Sequence, residues 1–146
     1  MNGDPPAGVV LDTRSMVWLL QGSTQLGQGA RRRIQRAADT SCLKIPAIAL
    51  WEFAMLVSRG RLVIDRDPAQ WLAAALALPG IEVAPLTPEI AVQSTRLPQA
   101  FHGDPADRMI VATARVLDAV LITADKAILA YAGEGHVKAL RAGAAR

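Results

Sequence analysis

Five carboxylates stand where a parallel sheet would gather its working groups. Asp12 directly follows the apolar run VVL at 9–11, and Asp125 follows LIT at 121–123 after one residue. Asp104 and Asp107 fall in the segment HGDPADR, at the mouth of the helix that comes next. Glu52 interrupts the apolar stretch IPAIALWEFAMLV at 45–57, near the start of a helix that follows a strand. In open parallel sheets, functional groups collect beyond the carboxyl ends of the strands. If the strands ending at Leu11 and Thr123 are central neighbours, Asp12 and Asp125 share one edge, and Glu52, Asp104 and Asp107 can point to the same place. Two carboxylates about 5 Å apart repel by roughly 3 kcal/mol at an effective dielectric near 20. A group of four or five therefore calls for bound protons or a multivalent cation. Hard oxygen donors with no cysteine and no paired histidine suit Mg²⁺ or Mn²⁺. Such ions serve phosphodiester hydrolysis by polarising a phosphoryl oxygen and lowering the pKa of an attacking water.

Each acid also has a purely structural reading. Asp12 can cap the helix after its strand, and Asp125 can cap the short helix from Lys126. Asp104-Pro105-Ala106-Asp107 is a capping arrangement, with Asp104 at the N-cap, proline in the first turn and an acid facing the helix dipole. A buried Glu52 must find donors, a cation or a proton, and Arg108 is one candidate partner.

The elements that would position these groups follow from the pattern of apolar runs and helix signals. VVL at 9–11 reads as a buried strand, 14–20 as a helix and 28–38 as a basic helix after the turn-rich QGSTQLGQG. Residues 43–46 read as a second strand and 47–58 as a helix closed by Arg59-Gly60. Asp67-Pro68, Thr87-Pro88 and Asp104-Pro105 repeat one device, a capping side chain followed by a proline at the first helical position. IEV at 81–83 and AVLIT at 119–123 supply further strands, and a short helix follows over 126–131. Strands alternating with helices at this spacing predict an α/β fold with a mainly parallel central sheet and helices on both faces. Met16 and Trp18 are expected in the core.

The 146 residues imply one domain at 9–140, with a flexible tail at 1–8 and a basic tail at 141–146. A hydrophobic fraction of 51% argues against disorder. The 16 basic and 13 acidic side chains give a net charge of +3, which permits a polyanionic partner without demanding one. Arg31, Arg32, Arg33 and Arg36 read as a solvated helix face. The single cysteine, Cys42, excludes an intrachain disulfide and any cysteine-based metal cluster. The N-terminus has no apolar signal region, and no segment is long and apolar enough for a membrane span, so a cytoplasmic location is expected.

The ordered set VVLDTRSMVWLL, IPAIALWEFAMLVSRGRL and HGDPADRMIVATARVLDAVLITADKAIL, spanning roughly 9–131, resembles the PIN-domain family and, within it, the VapC-type toxins of bacterial toxin–antitoxin pairs. That resemblance implies a PIN-like α/β/α sandwich and a metal-dependent endoribonuclease. It carries the family's acidic site onto Asp12, Glu52, Asp107 and Asp125, with Asp104 as an additional acid. Asp12, Asp107 and Asp125 would hold one or two Mg²⁺ (or Mn²⁺), and Glu52 would complete the shell or orient the attacking water. Thr13 and Thr123 match positions whose hydroxyls lie beside the site. Arg108 takes a supporting role, pairing with an acid or stabilising substrate charge, while Arg14 stands where relatives often have a small residue or histidine and its role is open. The implied partners are an RNA substrate, a cognate VapB-like antitoxin and a second copy of the chain as a homodimer. A DNA nuclease with the same acids and a non-catalytic PIN-fold interaction module are the alternatives. An aspartyl-phosphate enzyme of the haloacid-dehalogenase type fits poorly, because Arg14 occupies the place of its second acid.

Overall fold

The computed structural model describes residues 8–101 and 103–143. The tail expected at 1–8 and the end of the one expected at 141–146 lie largely outside these residues. Five strands form one parallel sheet: β1 (Val9–Leu11), β2 (Leu43–Pro46), β3 (Ile81–Ala84), β4 (Val120–Thr123) and β5 (Ala139–Arg141), in the order β3-β2-β1-β4-β5. β1 is central, and its residues are wholly buried. It pairs with β2 on one side (Val9 with Leu43) and with β4 on the other (Leu11 with Ile122). The chain order reverses between β1 and β4, and such a switch point opens a crevice beyond the carboxyl ends of the strands.

The helices are α1 (Thr13–Gln21), α2 (Gln28–Asp39), α3 (Ala47–Ser58), α4 (Pro68–Leu76), α5 (Pro88–Gln93), α6 (Pro105–Val116) and α7 (Lys126–Gly133). Side chains alternate across a strand, so Val9 and Leu11 join one core and Val10 the other. The first core includes Met16, Leu26, Ile34, Phe53 and Ile122. The second is built from Ile90, Ile110, Val111, Leu121, Ile128 and Tyr131. The result is the α/β/α sandwich expected from the sequence. Met16 is fully buried, and Trp18 packs at the margin of the first core. α3 serves both cores, Ala49 and Phe53 in the first and Ile48 against the second, which seats the helix carrying Glu52 at the seam between them.

The three proline-led helices start where their sequence signals lie. Asp67 accepts from the Ala69 and Gln70 amides, Thr87 from Ile90 and Asp104 from Asp107. β5 has no counterpart in the expected elements. It closes the sheet at Arg141, where the basic tail was expected to begin, and the next residue, Ala142, is fully buried. The basic face of α2 is only partly solvated, since Arg31 donates to the carbonyls of Leu26 and Ser23.

Candidate active site

All five acids line a single cleft of about 280 Å³ at the carboxyl edge of the sheet, together with Thr13, Arg14, Leu56 and Ala124. Each is placed by a local rule. Asp12 leaves β1 and becomes the N-cap of α1: its Oδ1 accepts from the Ser15 amide at 2.9 Å. Its Oδ2 accepts from the Thr123 hydroxyl at 2.5 Å, across the β1–β4 boundary. The same Thr123 oxygen accepts from the Asp125 amide at 3.0 Å, and Asp125 caps α7 through Ile128. Thr123 thereby ties the two strand-end acids together. Ser15 adds a second tie, donating its hydroxyl to the Ile122 carbonyl at 3.0 Å.

Glu52 accepts a hydrogen bond from the Thr13 hydroxyl. Arg108, the alternative partner considered for Glu52, does not pair with it. Arg108 donates Nε to the Ser94 carbonyl at 3.0 Å and a terminal nitrogen to the Phe101 carbonyl at 2.6 Å. Among the described residues the ion pairs are Lys44–Glu82 and Lys138–Asp118, and His136 lies 3.7 Å from Glu134, none of them in the cleft. Arg108 instead fastens the segment leading into α6, and so helps place Asp104 and Asp107. Gly103 contributes by its smallness: a Cβ there would lie 2.3 Å from the Phe101 ring and 2.9 Å from Asp107 Cβ.

Glu52, Asp104 and Asp107 form the tightest group, each offering an oxygen within 4.8 Å of the others. Asp12 and Asp125 line the same cleft outside that trio. The electrostatics show the crowding. Burial, reinforced by the charges of Asp104, Asp125, Glu52 and Asp12, pushes the Asp107 carboxyl up to about 7. Burial also raises Glu52, against the Thr13 hydrogen bond and Arg14 and with help from Asp104 and Asp12. Asp12 is raised by burial, with the hydrogen bonds from Ser15 and Thr123 opposing. A larger hollow of about 790 Å³ lies between α6, α7 and β5. Its cations are already engaged, Lys138 with Asp118 at 2.8 Å and Arg115 with the His136 carbonyl, and among the described residues its lining offers no cluster of acids.

A family model described as PIN domain matches residues 9–134. The chain belongs to the PIN domain family. A curated relative, Ribonuclease VapC22 of Mycobacterium tuberculosis, is 29% identical over 123 residues, covering 84% of this chain and 91% of the relative. Among solved structures, DNA-bound VapBC from Salmonella typhimurium aligns with a TM-score of 0.66 at 17% identity, over 92% of this chain and 98% of that one. VapBC2 from Rickettsia felis, bound to a DNA fragment from its promoter, aligns at 0.65 and 15%, over 91% and 97%. At such identities the structural likeness establishes the PIN fold. Ser15, Leu56, Gly103 and Ala124 are the lining or positioning residues of this PIN domain that sequence reading did not assign to the site. Only Ser15 left a signal, standing three residues after an acid that ends a strand, the spacing of an N-cap.

Proposed function

We propose that this PIN domain is a metal-dependent endoribonuclease and the toxin of a VapBC-type toxin–antitoxin pair. The observation that carries the reading is the convergence of five carboxylates in one cleft, three of them with oxygens within 4.8 Å of one another. The kinship with a ribonuclease supports RNA as the substrate. An all-oxygen donor set, crowded enough to hold a proton near neutrality, fits Mg²⁺ or Mn²⁺.

The resemblance assigns the cation to Asp12, Asp107 and Asp125; the closeness of their oxygens instead favours Glu52, Asp104 and Asp107 as the groups that would hold it, with Asp12 and Asp125 completing the negative wall. When bound, the cation lowers the pKa of an attacking water and offsets charge on the phosphoryl oxygens. Asp12 is held rigid through both carboxylate oxygens. Glu52, steadied by Thr13, orients the water for in-line attack. Asp107, near neutrality in its proton affinity, must lose its proton before it can hold a cation. Thr123 keeps Asp12 and Asp125 in register. Arg108 supports the site by fixing the loop before α6. Cleavage of this kind leaves a 5′-phosphate and a 3′-hydroxyl, because it does not use the ribose 2′-hydroxyl.

The proposed partners are RNA, a VapB-like antitoxin and a second copy of the chain. The toxin–antitoxin complexes among the structural relatives support the antitoxin. Trp51, 57% exposed on α3, gives a protein partner an aromatic anchor. No helix of the described residues is long and apolar enough to cross a membrane. The deciding experiment is cleavage of matched RNA and DNA hairpins by wild type and Asp12→Ala, with Mg²⁺ and with chelator. Metal-independent cleavage, an unimpaired variant, a preference for DNA or a 2′,3′-cyclic phosphate product each contradicts the reading.

A further inference from the structure

Among the described residues that line the cleft, Arg14 is the only cation. Its position is unusual for a helix. It is the second residue of α1, where the macrodipole disfavours positive charge, so helix stability does not account for it. Its neighbours Asp12, Thr13, Ser15 and Met16 are all buried, while its own side chain is exposed. The backbone beneath it is fixed by the Asp12 cap and by the Ser15 bond to β4. Among the described residues it joins no ion pair, although five carboxylates share its cleft. Arg108, the arginine of the DPADR segment, is committed to two carbonyls. An uncommitted guanidinium carried on a fixed stretch of backbone at the rim of an acidic cleft suits a ligand that brings its own negative charge and spans beyond the metal. A polynucleotide strand is such a ligand, and guanidinium binds phosphate through paired N–H donors.

We propose that Arg14 is a substrate-positioning residue that grips a backbone phosphate of the nucleic-acid strand beside the scissile one. This rests on the nuclease reading. The competing role is a built-in counter-ion, since the charge of Arg14 also acts on Glu52. A counter-ion matters most without metal, and a phosphate clamp matters only with substrate.

The test compares wild type, Arg14→Ala and Arg14→Lys in Mg²⁺. Steady-state cleavage uses a short fluorogenic single-stranded RNA. Equilibrium binding of the same RNA is followed by anisotropy across a salt series, with Asp12→Asn as a cleavage-silent background. Arg14→Ala is expected to raise KM about tenfold, the loss of one charge-assisted contact, with kcat little changed. The slope of log affinity against log salt should shrink by about 0.7, the value of one single-strand phosphate contact. Arg14→Lys should restore the slope but only part of KM, having charge without the planar fork. Unchanged KM and slope overturn the proposal, as does a fall in kcat alone. A loss of melting temperature in chelator that Mg²⁺ repairs, with the RNA slope unchanged, assigns the counter-ion role instead. If the parent protein binds RNA through Arg14 without cutting it, the hydrolysis reading fails and the contact stands. If the parent cuts RNA and the variants match it, only the contact fails. A parent that neither binds nor cuts overturns both.

Discussion

Asp67 and Asp104 are the same device in two places. Each is an aspartate before a proline, each accepts amide hydrogen bonds from the first turn of its helix, and each is exposed. Asp67 stands outside the acidic cleft, whereas Asp104 shares it with four other acids. The difference lies in topology rather than in local chemistry: α6 leads into β4, whose carboxyl end meets that of β1. The comparison shows that capping and cation binding are not rival explanations. A cap engages one oxygen, as Asp104 and Asp125 do through Oδ1, and thereby aims the other. Asp12 goes further and commits both oxygens.

Substitutions can break that comparison in order of effect. Asp107→Asn is expected to lower Mg²⁺-dependent cleavage on the order of a thousandfold, the scale of losing a preorganised electrostatic group. Its metal-free melting temperature should hold or rise, because a repelled charge is gone. Normal cleavage by this variant would remove Asp107 from the site. Asp12→Ala should lose both properties. Cleavage falls comparably, and stability falls by about 2 kcal/mol in denaturant titration, because the α1 cap and the acceptor for Thr123 disappear together. Thr123→Val tests the tie itself. Activity is expected to drop ten- to a hundredfold, the usual scale for a residue that orients a ligand, and an unaltered rate would make the tie incidental. Asp67→Ala should cleave as wild type does and lose about 1 kcal/mol of stability. A cleavage defect there would end its use as the purely structural counterpart.

Acidity sharpens the same contrast. The Asp107 carboxyl is raised in the folded state, from an ordinary value near 4 to about 7. The folded protein therefore binds more protons than the unfolded chain across that window, and stability falls as pH rises through it. The contribution is fully present below the unfolded pKa and is lost once pH passes about 7. Without metal, the melting temperature should decline from pH 4 to 7 and then level. Asp107→Asn should flatten the decline, and Asp67→Asn should leave it in place. Mg²⁺ should stabilise more strongly at the upper end of the window, because its ligands must be deprotonated. A metal-free melting temperature that rises across this range would contradict the assignment.

The sequence made the site legible because its parts are signalled locally. VVL before Asp12, LIT before Asp125 and the cap-then-proline pairs each announce an element boundary, and the parallel topology brings those boundaries together. What it could not show depends on long-range geometry. Arg108 can reach many acceptors, and only the folded loop decides for the carbonyls of Ser94 and Phe101 over Glu52. The closeness of Glu52, Asp104 and Asp107 depends on how α3 packs against α6, which no spacing reports. β5 escaped because it is a three-residue edge strand with two exposed side chains, too short to show a period.

The bond between Thr123 and Asp12 spans 111 residues. During translation, which adds about 5 to 20 residues each second, β1 and Asp12 leave the ribosome early and wait for their neighbour. The central strand lacks one of its two partners, and the acidic cleft one of its walls, until β4 has emerged. On the nuclease reading, a nascent or prematurely terminated chain ending before Thr123 is expected to leave RNA uncut, because it lacks both the Thr123 donor to Asp12 and the acid Asp125. If the proposed ribonuclease activity holds, the hazard of synthesising it on RNA is deferred by chain order to the end of synthesis.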